Sequence, residues 1–468
     1  MSQEPGTPLM INGLDEPMHA LFAELASVLS SNPVLDDTCS VENREQELYE
    51  ATGALLAKVL ERDIQQSIDS KEFANEEREL VKSWPKKLKN RGSREVRLQT
   101  VWGVTITLKA RYYSGNGKKS QVKGLYPALR LLGLYNHCTP IAGSEVARSI
   151  AALSSIEEAR NELRQRGIIL SVGTIRRIAY QWSARVRSRI NEGKIHFPDQ
   201  VSNRRVVVSS DGGRVRIRRN KRGPKTKKGR ARYHTDWKEP KLLIIYAVDE
   251  NGRQSKTFLP YIDGTMKGPD VLFSTIRFYL RKLNITEAEQ VVFVSDGASW
   301  IWNRIPGLVH DLGLNQQKVY CVLDFYHAVE HLAAVTQLRK KWTAKEKKAW
   351  LTKNKQLLKK GQVGQVISAI RVLCKGRGCK AIKTELNYFI KHKEHMAYNA
   401  MKNLNLPIGS GAIESAIRRV LNLRIKGPAI YWKEESAEAI ILLRSYFKAG
   451  RWNTLKNIAL APAIDVGV

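Results

Sequence analysis

The chain has 468 residues, 43% of them apolar, with 78 Lys+Arg against 45 Asp+Glu and a formal charge of +33. That length allows two to four domains and a sizeable core. No stretch approaches the roughly 18–20 apolar residues that span a bilayer, and five cysteines, few and odd in number, argue for a reducing compartment over a disulfide framework. The charge is uneven. Residues 1–80 carry 5 Lys+Arg and 17 Asp+Glu, a net of −12, so the remaining 388 residues carry +45. Such a field attracts polyanions, and nucleic acid is its default partner.

Residues 1–40 read as loosely ordered, and their first segment, MSQEPGTPLMINGLDEP, lacks the basic region and apolar core of a secretory leader. From about 43 to 85 the apolar spacing is helical, with Leu48, Leu55, Leu56, Val59 and Leu60 on one side, as in a packing or dimerisation segment. KKLKNRGSRE (86–95) reads as a basic linker. VRLQTVWGVTITLKARYY (96–113) alternates apolar and polar residues around Gly103 and predicts a β-hairpin. Residues 140–190 predict three helices with short turns, Ser171 capping the last. Arg176, Arg177, Arg185 and Arg187 stud that last helix. The arrangement resembles a helix-turn-helix with a basic recognition helix, or else is an ordinary three-helix unit.

From 204 the pattern changes. RRVVVSS is a strand ending at Asp211. KLLIIYAVDENGRQSKTFLPYI (241–262) predicts two strands about an Asn251-Gly252 turn. Residues 268–283 are helical in period, EQVVFVS ends at Asp296, 299–313 reads as a short helix, and KVYCVL ends at Asp324. The order is therefore β-β-β-α-β-α-β, the RNase H-like order, with a mixed sheet. Sites in open α/β sheets form beyond the carboxyl ends of strands. If the first and fourth strands are neighbours, Asp211 and Asp296 converge, and two such carboxylates repel unless a cation lies between them. Oxygen ligands suit Mg²⁺, and two ions can clamp the attacking and leaving oxygens of phosphoryl transfer. Asp-Gly after a strand is also a common turn.

After Asp324 the chain is helical and Lys-rich to about 400, and then IGSGAIESAIRRVLNLRIKG places Glu414 in the first turn of a helix. Arg418 and Arg419 follow where they could meet phosphate. Glu414 could equally be a helix-start acid or an i,i+4 partner of Arg418.

SSDGG, VSDGASWIW, LDFYHAVEHL and GSGAIESAIRRV…RIKG together resemble the blocks of bacterial insertion-sequence transposases of the DDE class, over roughly residues 140–450. Asp324-Phe-Tyr-His327 is similar to the D-x-x-H element of Mutator-like transposases. The resemblance implies an RNase H-like catalytic domain with Asp211, Asp296 and Glu414 as catalytic and metal-binding residues, and two Mg²⁺ (or Mn²⁺) per site. It implies an all-helical insertion before Glu414. It also implies end cleavage by activated water and then attack of the freed 3′-OH on target DNA. Asp324 and His327 would stand behind the ligands. The partners would be double-stranded DNA, at transposon ends and target, and a second copy of the chain. Charge alone does not separate DNA from RNA. The setting would be the bacterial cytoplasm, with no membrane. Unlike many relatives, this chain has no C-x-x-C after the hairpin, and no structural zinc is expected there.

The expected organisation is an acidic helical N-terminal region and linker (1–95), a hairpin and helix-turn-helix-like DNA-binding region (96–200), and the first part of the catalytic core (201–327). An all-helical insertion (328–405) and the completion of the core (406–468) follow. Arg214, Arg216, Arg218, Arg219, Lys221, Arg222, Lys225, Lys227, Lys228, Arg230 and Arg232 form a run of eleven cations without an acid. Such a run self-repels, so it reads as a flexible arm that orders on DNA. With Arg176, Arg177, Arg418 and Arg419 these are the candidate DNA contacts. Trp300 and Trp302 read as core, or as stacking platforms for bases. Two rival readings stand: a DNA nuclease or resolvase of the same fold without strand transfer, and a zinc protease through the inverted H-x-x-E-H of His327, Glu330 and His331.

Overall fold

A computed structural model of the chain describes residues 16–85, 87–115, 124–193, 195–227, 229–374 and 380–461. The chain divides into two compact units, one of residues up to 182 together with those from 460 onward, the other of residues 183–459.

In the first unit a helix occupies Glu16–Ser30, inside the stretch read as loosely ordered; residues 1–15 of that stretch lie outside the described residues. Helix Thr38–Asp69 starts on a capping box, Asp37 accepting from Ser40 N at 2.7 Å and Ser40 Oγ accepting from Asp37 N at 3.1 Å. Its buried stripe is Ala51, Gly53, Ala57 and Ile68, not the leucines, and Leu56 is exposed. Small residues are needed because the helix lies close to the hairpin: a Cβ on Gly53 would stand 3.2 Å from the Trp102 side chain.

That hairpin pairs β1 (Leu88–Gln99) with β2 (Thr105–Gly115) in antiparallel register. The stretch read as a basic linker is thus mostly strand. Lys86 lies outside the described residues; Lys87, Lys89, Arg91 and Arg94 are exposed, Arg94 over the Tyr112 ring, while the backbone of 88–95 pairs with residues 109–115 across a register shift at Gly92. Gly103 in the turn (φ +81°) backs onto Gly167 (φ +72°), which follows helix Ile156–Gln165. A Cβ on Gly167 would lie 2.8 Å from the Gly103 Cα, so the two loops meet backbone to backbone. The three predicted helices are Pro140–Ala152, Ile156–Gln165 and Val172–Asn191, and Ser171 Oγ accepts from Thr174 N at 3.1 Å.

The second unit is mixed α/β. Its strands are β3 (Arg205–Gly212), β4 (Val215–Asn220), β5 (Tyr233–Lys238), β6 (Lys241–Val248), β7 (Tyr261–Thr265), β8 (Gln290–Ser295) and β9 (Val319–Leu323). Five form one sheet in the order β7-β6-β3-β8-β9. β3 runs antiparallel to β6 and parallel to β8; β6 and β7 are antiparallel, β8 and β9 parallel. Every residue of β6 is buried, as expected of a central strand covered on both faces. Helix Pro269–Lys282 links β7 to β8, and short helices Ser299–Trp302 and Ile305–Asp311 link β8 to β9. Beyond β9 come helices Phe325–Leu338, Ala344–Lys359, Val363–Leu373, Lys380–Lys391 and Tyr398–Asn403. Helix Gly411–Ile417, which continues as a π-helical turn over Arg418–Asn422, then packs on β3 and β6. Helices Glu434–Lys448 and Trp452–Leu460 close the fold.

Of the cationic run read as a flexible arm, Arg216, Arg218 and Arg219 lie in strand β4, whereas the described cations from Lys221 to Arg232 lie in the connection between β4 and β5. β4 and β5 form a two-stranded antiparallel ribbon inserted between β3 and β6. Its base is fixed by Arg218 N donating to Trp432 O at 2.8 Å and Trp432 N donating to Arg216 O at 3.1 Å. Self-repulsion is eased by aromatic faces: Arg214 lies 5.0 Å from the Trp237 ring centre, Arg216 4.9 Å from Tyr431, and Arg218 5.4 Å from Tyr233.

No helix among the described residues is long and apolar enough to cross a membrane.

Candidate active site and nucleic-acid interface

The parallel register of β3 and β8 pairs Val206 with Val291 and Val208 with Phe293, so the next residues along bring Asp211 level with Asp296. Serine bonds carry the alignment past the last strand pair. Ser210 N donates to Ser295 Oγ at 3.3 Å, and Ser295 Oγ donates back to Ser210 O at 3.2 Å. The two carboxylates therefore stand side by side where both strands end. Asp296 is braced locally, its Oδ1 accepting from Ala298 N at 3.0 Å and its carbonyl from Trp302 Nε1 at 2.5 Å. Trp302 is thereby core, whereas Trp300 is half-buried beneath Lys241, whose Nζ lies 4.3 Å from its ring centre.

Burial foremost, then Asp296 and Glu239, push the Asp211 carboxyl up to about 6; the Gly212 amide and Lys241 pull the other way. Glu239 and Lys241, bonded to each other at 2.6 Å, were not singled out in the sequence; antiparallel pairing alone sets Lys241 opposite Gly212. The carboxyl ordinarily titrates near 3.8, so the folded state holds the proton more tightly than the unfolded chain. Without a divalent cation, Asp211 therefore adds stability below pH about 4 and loses that contribution as pH rises through about 6. Asp211→Asn is expected to melt above wild type at pH about 8 in EDTA and level with it near pH 4. A wild type as stable as the variant at both pH values would contradict this environment.

Asp324 is fully buried and fully engaged. It caps helix Phe325–Leu338, accepting from Tyr326 N at 2.6 Å and His327 N at 3.0 Å, and accepts from Ser410 N at 2.6 Å and from Ser410 Oγ. Its role is to tie the 408–410 loop to the end of β9, which Phe325 N reinforces by donating to Ile408 O at 2.9 Å. Ser410 Oγ also stands 3.1 Å from Glu414 Oε1. With one proton it donates to one carboxylate at a time, so Glu414 is linked to Asp324 through a shared hydroxyl. The His327 imidazole Nδ1 lies 3.3 Å from Glu330.

The donor set of Asp211 and Asp296 fits a hard divalent cation: oxygen atoms only, with a mutual repulsion that a cation relieves. Glu414 is exposed, and among the described residues no three His, Cys, Asp or Glu are grouped tightly enough to hold a metal. That applies to the Asp211–Asp296–Glu414 set and to His327–Glu330–His331 alike. His331 Nδ1 is instead bonded to Glu385 at 2.6 Å.

No family model matches this chain, and no curated protein matches it.

The candidate DNA contacts fall into three groups. On the ribbon, Arg214, Arg218, Arg219, Lys221, Arg222, Lys225, Lys227, Arg230 and Arg232 are exposed and Arg216 is half-buried; Lys228 lies outside the described residues. Arg219 is partly neutralised by Asp236 at 3.1 Å. Arg176, Arg177 and Arg418 are exposed, whereas Arg419 Nη1 donates to Lys448 O at 3.0 Å and is held in the fold. Arg187, read with the recognition helix, points inward and forms a bidentate pair with Asp263, 2.9 Å on each arm.

Proposed function

We propose that this chain is a DNA transposase with an RNase H-like core, cleaving phosphodiester bonds at the ends of its element and joining the freed 3′-OH to target DNA. The observation that carries the reading is the pair Asp211 and Asp296, side by side at the carboxyl ends of adjacent parallel strands in a sheet of order β7-β6-β3-β8-β9. Asp211 and Asp296 would hold two Mg²⁺ or Mn²⁺ ions, and Glu414, on the helix packed on β3 but outside the pair, would have to close on them to serve as a third ligand. Such ions, when bound, generate a nucleophile from water and stabilise charge on the transferring phosphoryl group. The protein's own part is to fix two carboxylates on rigid strand ends and to hold the scissile phosphate against them. Asp324 and Ser410 keep the Glu414 helix docked. The ribbon, starting four residues after Asp211, supplies phosphate contacts beside the chemistry, and a two-stranded ribbon has the width to enter a major groove. A second copy of the chain would bring the second DNA end.

The ribbon makes a separable contribution. Lys221, Arg222 and Arg230 changed together to Ala are expected to weaken duplex binding irrespective of sequence. The slope of log K against log salt should shallow by about 0.9 for each phosphate no longer neutralised. An unchanged slope would remove the ribbon from the interface.

The test of function incubates the protein with a labelled duplex built from the DNA flanking its own coding sequence, in Mg²⁺ or Mn²⁺, beside Asp296→Ala. Joined products that vanish in the variant support the transposase. Cleavage without joining means a nuclease of the same fold. Binding without chemistry in both proteins overturns the catalytic reading.

A further inference from the structure

Helix Lys380–Lys391 belongs to the helical segment after β9, yet one of its side chains reaches the strand ends. The Tyr388 ring stacks on His331, ring centres 3.6 Å apart at 21°, and His331 is fixed by Glu385, one turn earlier on the same helix. The ring also lies against His392, at 5.0 Å between ring centres, and against Gly297, the residue after Asp296. A Cβ there would overlap the ring and lie 3.1 Å from the phenol oxygen, so the missing side chain is what lets the phenol approach. The hydroxyl is out of solvent and has no hydrogen-bond partner among the described residues. Burying a hydroxyl without a partner forfeits its hydration and destabilises the fold. Burial, then Asp296 and Asp324, raise its pKa, so it remains a protonated donor at neutral pH. A clamped donor without an acceptor, against the residue that follows Asp296, is suited to an acceptor that arrives with the substrate.

We propose that Tyr388 donates a hydrogen bond to a non-bridging oxygen of the phosphate held at Asp211 and Asp296, which makes the helical segment part of the active site. This rests on reading that pair as a phosphoryl-transfer centre. His331 and Glu385 are positioning residues for the phenol.

The experiment compares wild type, Asp296→Ala and Tyr388→Phe in single-turnover cleavage of the same flanking-DNA duplex in Mn²⁺, with duplex affinity and melting temperature measured on each. Phe keeps the ring on His331 and removes only the hydroxyl. Tyr388→Phe is expected to cleave about 10- to 100-fold more slowly, the loss typical of a hydrogen bond to a charged acceptor, with affinity unchanged and a melting temperature equal to or above that of wild type, since the buried hydroxyl has no partner to lose. Wild-type rates in Tyr388→Phe overturn the proposal and leave the carboxylate site standing. A rate loss accompanied by a matching fall in melting temperature also overturns it, since the phenol would then be structural. Absence of Asp296-dependent cleavage in wild type overturns the underlying reading, and this proposal with it.

Discussion

Asp296→Asn should lower metal-dependent cleavage by about 10³-fold or more while leaving DNA affinity within about twofold, because ligand loss removes several kcal/mol of transition-state stabilisation. The substitution keeps the shape of the side chain. Its amide oxygen can still accept from Ala298 N, and the carbonyl that anchors Trp302 is untouched. What changes is charge, at a position level with Asp211 across parallel strands. Binding should survive because the substitution leaves the exposed cations proposed to meet phosphate, those from 214 to 232 with Arg176, Arg177 and Arg418, unchanged. Cleavage rates with an electrophoretic binding curve check this. Undiminished cleavage by Asp296→Asn would remove Asp296 from the chemistry.

Asp263→Ala should destabilise the second unit by about 3–5 kcal/mol, because it leaves the charge of Arg187 in the interior without its partner. Asp263 has no exposed surface. It binds both arms of Arg187 at 2.9 Å, accepts from Gly264 N at 2.7 Å, and accepts from Tyr279 OH at 3.1 Å. Tyr279 in turn lies 2.7 Å from Tyr446 OH, which connects the end of β7 to helices Pro269–Lys282 and Glu434–Lys448. The Arg187 pKa moves above its ordinary value: desolvation, the largest influence, lowers it, and Asp263 and Glu438 together outweigh that. For a unit of this size the melting temperature should fall by on the order of 10 °C. Replacing both partners, as in Arg187→Met with Asp263→Leu, should cost much less than the single change. A loss under about 1 kcal/mol for Asp263→Ala would show that solvent reaches Arg187 freely.

The elements of the second unit were legible because their signals are local. Short apolar runs ending in Ser-Asp gave β3 and β8, and helical spacing gave the segments around them. The two candidate carboxylates were legible for the same reason. Readings failed where the deciding contact is distant in sequence. The 86–95 stretch looks like a linker because its side chains are charged, yet the backbone of 88–95 pairs with residues 109–115. The cationic run looks unstructured because its charges repel, yet its first part, Arg214 to Arg219, is held in a ribbon by pairing with 233–238 and by Trp237, Tyr431 and Trp432. Arg187 resembles its exposed neighbours on the helix, and only the fold places Asp263 opposite it.

Sequence therefore established the charge field, the strands β3, β6, β8 and β9, and two aspartates at strand tips, all properties of short segments or of summed composition. Tertiary structure alone set the β3–β8 neighbourhood that makes those aspartates a pair, the loop that ties Ser410 to Asp324, and the approach of Tyr388 to Gly297. Each of these joins residues 85 or more positions apart, and no local periodicity encodes a contact across such a distance. Packing of the whole core selects it.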